Sequence, residues 1–169
     1  DTNNRRSLAI LGDDERTQVT TKTSYPIGLF IGGGRYCSAT LISKRVILTS
    51  AHCIYDRVNE RERATKFYFY PNVISAADIN QNNTYEVVEW HYSKDYINAP
   101  QVSSQNFGPE TTHDIAVARL NTSTKGEFDN WMHFGYDTTL SAPQTMETAG
   151  YPGDKTWATE WYQSCNWNI

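Results

Sequence analysis

Short alternating or β-rich runs recur at 17–23, 27–32, 36–42, 45–49, 66–70, 85–91, 115–120 and 145–150, and each predicts a strand. Turn residues separate nearly all of them. Gly32-Gly33-Gly34, between two of the runs, predicts a hairpin loop rather than a phosphate cradle, because no helical pattern follows it and no Lys-Ser/Thr pair closes it. Phe67-Tyr68-Phe69-Tyr70 predicts a strand with both faces occupied. The stretch 95–112 is rich in Asn, Gln, Ser, Pro and Gly with little periodicity. It predicts a long surface loop that delivers Asp114 to the mouth of the apolar strand Ile115-Ala116-Val117-Ala118. A strand-rich part over 15–125 and an incomplete second set over 126–169 predict an all-β fold of two sequential sub-domains, preceded by an N-terminal segment, 1–14.

Composition agrees with a globular chain: 169 residues, 38% hydrophobic and 13% aromatic, suffice for one domain or two small sub-domains. The net charge of -4 without a basic cluster excludes nucleic acid as an expected partner. Charge is dense only over 56–63, where signs alternate, and both a solvated loop or short helix and a binding patch are open readings there. No apolar run reaches the roughly 18 residues of a membrane span, and the start has no hydrophobic signal core, so no membrane partner is expected and the chain reads as mature or trimmed. Arg5-Arg6 fits a dibasic processing site or a solvated tail. Asn82 in Asn82-Asn83-Thr84 and Asn121 in Asn121-Thr122-Ser123 are acceptors for N-glycosylation in a secretory pathway.

The candidate chemistry centres on Thr49-Ser50-Ala51-His52-Cys53, where an apolar strand gives way to a turn. Of three cysteines, Cys37 and Cys53 could close a short loop around His52, leaving Cys165 with a partner elsewhere or as a free thiol; three reduced cysteines are the remaining option. A histidine at a strand end becomes a general base when a carboxylate fixes its tautomer, and Asp114 is the candidate for that carboxylate. The plainer readings are a turn-capping Asp114 and a packed surface His52. His91 and His133 lie among aromatic residues and read as core or rim packing; no spaced set of ligands predicts a metal.

Taken together, these pieces resemble the chymotrypsin-like serine endopeptidases, and within them the secreted glutamyl endopeptidases. The matching segments are 12–19 near the start, Ala51-His52-Cys53-Ile54-Tyr55-Asp56, His113-Asp114-Ile115-Ala116-Val117 and Ala149-Gly150-Tyr151-Pro152-Gly153-Asp154-Lys155-Thr156, in family order over nearly the whole chain. The resemblance implies a chymotrypsin-like double β-barrel, the first barrel complete and the second only partly present. It implies His52 as general base, Asp114 as its orienting partner, a disulfide between Cys37 and Cys53, a protein or peptide substrate, and no cofactor.

The family's nucleophilic serine in a Gly-X-Ser-Gly turn has no match. Ser141 precedes Ala-Pro, and Ser164 lies in Tyr162-Gln163-Ser164-Cys165 without a glycine turn. Three explanations are open: a second chain of the same precursor that carries the serine and takes Cys165 in an interchain bridge, a partial length of an ordinary enzyme, or an inactive homologue acting as a binding subunit. The expectation is a secreted, two-chain serine endopeptidase, inert without its serine-bearing part.

Overall fold

The computed structural model describes residues 13–23, 25–100, 112–124, 130–133, 135 and 144–167. Arg5-Arg6 and Ser141 fall outside them. Eleven strands are described: β1 (Thr17–Gln18), β2 (Ile27–Gly32), β3 (Arg35–Ser43), β4 (Val46–Thr49), β5 (Tyr55–Asp56), β6 (Arg61–Glu62), β7 (Tyr68–Pro71), β8 (Tyr85–Tyr92), β9 (Ala116–Leu120), β10 (Gln144–Gly150) and β11 (Trp161–Trp167), with one short helix, α1 (Lys94–Asn98). Strands β2-β3-β4-β9-β8-β7 close into a barrel, all neighbours antiparallel; β1-β11-β10 form a three-stranded sheet and β5-β6 a two-stranded ribbon.

Closing the barrel removes every edge from that sheet, and period-two alternation then sends one face of each strand inward. Ile47, Phe67, Phe69, Val87, Ala116, Ala118 and Leu120 fill the interior with Phe30, Leu41 and Tyr85. The aromatic run behaves as its pattern predicts: Phe67 and Phe69 are fully buried, while Tyr68 and Tyr70 are half-buried on the other face. Strand β2 is buried on both sides. Phe30 faces the barrel, whereas Ile27 and Leu29 join Val73, Tyr151 and Ala158 in a second cluster that packs the barrel against the β1-β11-β10 sheet.

Glycine spacing makes this double packing possible. Gly28 and Gly32 flank Phe30 on its inward face, and a Cβ on either would overlap the ring of Phe69 or Phe67 respectively. Gly33 and Gly34 form the two-residue hairpin loop predicted from the sequence, with φ of +59° and +73°, the left-handed pair that matches the twist of the flanking strands.

Several expectations need correction. Only Thr17–Gln18 of the 17–23 run is a strand, and it pairs with β11 in the second sheet rather than joining the first barrel. The 95–112 stretch begins inside α1, whose N-cap Ser93 accepts a hydrogen bond from the Asp95 backbone N–H, as a helix start requires. Ile115 is 52% exposed and lies outside β9, so the strand after Asp114 is shorter than its apolar pattern suggests. Strand β11 was not predicted at all. Among the described residues, no helix is long and apolar enough to cross a membrane.

Candidate active site

Strand β4 ends at Thr49, Ser50 stays extended at φ -85° and ψ 145°, and Ala51–Cys53 then make one 3-10 turn. Ala51 and Cys53 turn into the barrel core at 0% and 4% exposure. His52 between them consequently faces outward, its side chain half exposed. Behind it, Cys53 is disulfide-bonded to Cys37 of β3.

Asp114 meets His52 at two points. Its Oδ2 lies 2.6 Å from His52 Nδ1, and its Oδ1 accepts the His52 backbone N–H at 2.8 Å. Burial raises the carboxyl's pKa, but hydrogen bonds from the His52 ring and from the backbone N–H groups of His52 and Ala51 outweigh it, leaving Asp114 below the usual carboxylate range. An ionised Asp114 accepts at Nδ1, so the proton sits there and the Nε2 lone pair is free. Nε2 faces away from the carboxylate, 3.9 Å from Cys37 Sγ. This is the arrangement a general base requires.

The other residues singled out lie apart from this pair. Ser164 is exposed in the middle of β11, paired with Glu147, so extended backbone replaces the tight turn that would present a nucleophile. Cys165 beside it carries a free, exposed thiol. Asn82, in a 3-10 turn, and Asn121, after β9, are both exposed. His91 and His133 are both exposed and so lie outside the core; His133 keeps a rim contact with the Trp131 ring, 6.3 Å between centroids, and His91 Nε2 lies 3.1 Å from Glu89 Oε1. Burial along β8 changes phase at the register shift between Val87 and Glu89, so Trp90 and Tyr92 pack against the core while Glu89 and His91 face solvent.

Two features were missed in the sequence. The 56–63 stretch is a β5-β6 hairpin rather than a loop or short helix, and Arg63 Nε donates to the His52 carbonyl at 2.6 Å. Glu160, at 1% exposure, is buried where β11 meets the barrel. Nothing in a local window separates Arg63 from Arg57 and Arg61, or marks Glu160 as interior.

Among the described residues, the one trio of metal-capable side chains in mutual reach is Cys37, His52 and Cys53. Both cysteines are oxidised in the disulfide, so no thiolate is available and the trio does not suit a metal ion.

The closed barrel, the histidine at the end of β4 and its aspartate before β9 define a serine-protease scaffold, and the match of a trypsin family model to residues 14–166 shows that the chain belongs to the trypsin family. Its fold is chymotrypsin-like, and the chain covers part of that fold. It is similar to the glutamyl endopeptidase of Bacillus licheniformis, 25% identical over 162 residues, which is 92% of this chain and 46% of that protein. The extracellular metalloprotease of Bacillus subtilis is 25% identical over 165 residues, 90% of this chain and 48% of that protein. The chain thus spans about half the length of these curated relatives. A Glu endopeptidase solved in complex with MPD superposes with a TM-score of 0.73 at 26% identity, over 94% of this chain and 70% of that one. Neuropsin, a serine protease of mouse brain, has the same fold at a TM-score of 0.60 and 17% identity, over 90% and 63%.

Proposed function

We propose that this chain supplies the general base and its orienting carboxylate to a secreted serine endopeptidase whose nucleophilic serine lies in a segment or second chain outside the given sequence. The observation that carries this reading is the double grip of Asp114 on His52, at Nδ1 and at the backbone N–H. Such a grip fixes both the tautomer and the direction of the free Nε2. In the reaction, Nε2 takes the serine hydroxyl proton as the serine oxygen attacks the scissile carbonyl, and Asp114 stabilises the resulting imidazolium. The proton passes to the leaving amine, and water then hydrolyses the acyl-enzyme by the same route in reverse.

An open recess of about 240 Å³ lies between Ser38 of β3 and the β10-β11 hairpin at Gly150, Tyr151, Trp161 and Gln163. Ser38 follows Cys37, whose sulfur faces Nε2. We assign the serine-bearing segment to this side of the imidazole, with Cys165 as the bridge to it. The Cys37–Cys53 disulfide supports an oxidising compartment, and likeness to a relative named extracellular supports secretion. Preference for Glu at the cleaved bond rests on likeness to glutamyl endopeptidases.

A fluorophosphonate probe tests the reading on the protein isolated with any chain that accompanies it. Serine labelling is expected, abolished by His52→Ala, with cleavage after Glu outpacing cleavage after Gln in matched peptides. A complete assembly that takes no label overturns it in favour of an inactive binding homologue. Full activity in His52→Ala removes the base assignment.

A further inference from the structure

We propose that the β5-β6 hairpin is a bracket that positions the catalytic histidine, with Arg63 as the positioning residue; this rests on the reading of His52 as general base. The hairpin is tied to three separate parts of the barrel's active-site end. Arg63 Nε donates to the His52 carbonyl at 2.6 Å, while its Nη1 donates to Asp56 Oδ2 at 2.9 Å. Arg57, in the turn between the two strands, donates through Nη2 to the Ala99 carbonyl just after α1 and lies over the Tyr96 ring, 5.3 Å from its centroid. Glu62 Oε1 accepts from Trp90 Nε1 at 2.9 Å and from the Tyr92 hydroxyl at 3.4 Å, both on β8.

With Arg63 in place, every hydrogen-bonding group that fixes the orientation of His52 is engaged. Asp114 holds its N–H and Nδ1; Arg63 holds its C=O. A single bond to the ring leaves the residue free to pivot about its own backbone. The third contact, on the carbonyl, removes that freedom, and a charged donor makes it one of the stronger hydrogen bonds available. Arg63 is held in turn by Asp56, whose carboxylate is also fixed by the Asn59 amide and by the backbone N–H groups of Val58 and Asn59. Both side chains of the Arg63–Asp56 pair are largely buried, at 13% and 18% exposure, so water screens it less than a surface pair. Through Arg57 the same hairpin reaches the C-terminal end of α1, at the Ala99 carbonyl and the Tyr96 ring. One short element thus ties His52 to α1 and to β8, and the alternating charges of the 56–63 stretch make those ties.

The test substitutes Arg63→Met, which keeps the bulk and removes both the charge and the donors, and Arg63→Lys, which keeps the charge on a single nitrogen and loses the fork that spans the His52 carbonyl and Asp56. Arg61→Gln, an exposed position in the same hairpin with the same loss of charge, is the control. In the active assembly, Arg63→Met is expected to lower kcat about tenfold while KM stays within about twofold, because a positioning defect weakens the transition state rather than substrate binding. Arg63→Lys falls between it and the parent, and Arg61→Gln matches the parent. A second readout needs no turnover: the low-field proton resonance of His52 Nδ1–H bonded to Asp114 is expected to broaden in Arg63→Met and stay sharp in Arg61→Gln. Adding guanidinium chloride at millimolar concentration to Arg63→Ala is expected to restore part of the lost kcat. Unchanged kcat and an unchanged resonance in folded Arg63→Met overturn the proposal, as does an Arg61→Gln defect of equal size. If Arg63→Met does not fold, a parent-like Arg63→Lys overturns it. His52→Ala distinguishes the two levels of inference: its full activity defeats the catalytic reading itself, whereas its inactivity beside a fully active Arg63→Met defeats only the bracket.

Discussion

Glu160 illustrates how much a single residue's setting can differ from its type. Its carboxyl interacts with the Tyr151 hydroxyl, which itself accepts the Val73 backbone N–H at 3.0 Å, and its Oε1 has no hydrogen-bond partner among the described residues. Burial lifts its pKa to about 7, against a smaller lowering by the Tyr151 hydroxyl. The sign of the consequence follows from the folded state binding the proton more tightly than the unfolded one. Stability from this group is fully present below the unfolded value near 4.5 and is lost as pH rises through about 7. Glu160→Gln is therefore expected to match the parent in chemical denaturation near pH 4 and to exceed it by up to about 3 kcal/mol above pH 7. Equal stability of the two proteins at pH 8 overturns this. Asp114→Asn tests the opposite case, a carboxylate held ionised by its partners. Active assemblies carrying it are expected to lose about four orders of magnitude in kcat with the fold unchanged by circular dichroism, because an amide that donates to Nδ1 selects the wrong tautomer. His52 and Asp114 were legible in the sequence because their neighbours carry a pattern. Glu160 and Arg63 were not, because their roles arise from partners in distant or turned-back segments.

At the scale of elements, β2 shows why some strands resist alternation. It separates two cores, and its apolar run Ile27-Gly28-Leu29-Phe30-Ile31 serves both. The glycine on its inward face and the glycine in the hairpin loop that follows it are constrained for different reasons. Gly28→Ala drives a methyl into the Phe69 ring and the Tyr70 carbonyl and is expected to destabilise by about 1–3 kcal/mol, the range of overpacking. Gly34→Ala meets no atom within 4 Å and is expected to lose only about 1 kcal/mol from its left-handed φ, with Gly34→Asn nearer the parent. Urea denaturation of the three variants ranks them; a Gly34→Ala defect exceeding that of Gly28→Ala contradicts the packing account. Strands whose side chains alternate into the barrel were visible in the sequence to within a residue or two. Strand β11 was not, because Trp161-Tyr162-Gln163-Ser164-Cys165 mixes sizes and polarities without period. It is a strand because β10 and β1 supply ladders on both sides of it.

At the scale of the whole molecule, a barrel and an open sheet meet along the Ile27, Leu29, Val73, Tyr151 and Ala158 cluster. The two-part architecture was legible from the order of strand-rich segments; the assignment of β1 was not, since a two-residue strand carries no pattern that names its partner. An ionic cluster binds the same start of the chain to the second sheet. Arg16 donates to Asp14 and to both oxygens of Asp154, and Lys155 donates to Asp14 while lying 4.3 Å from the Trp161 ring centroid. In the barrel, the Cys37–Cys53 disulfide joins residues 16 apart, and closing a loop of that size in the unfolded chain corresponds to about 3 kcal/mol. The double substitution Cys37→Ala/Cys53→Ala is expected to lose about that much in urea denaturation, and stability equal to the parent's contradicts it.

The pairing of β1 with β11 also bears on the order in which the chain acquires its structure. Thr17 and Tyr162 meet across 145 residues, whereas the β2-β3 and β3-β4 pairs of the barrel form between neighbours in sequence. Chain-closure entropy grows with loop length, so this junction is expected to form after the local pairs of the barrel. In pulse-labelled hydrogen exchange during refolding, the amides of β2, β3 and β4 are expected to gain protection before those that link β1 to β11, and the sheet that receives the start of the chain is the last part to become native.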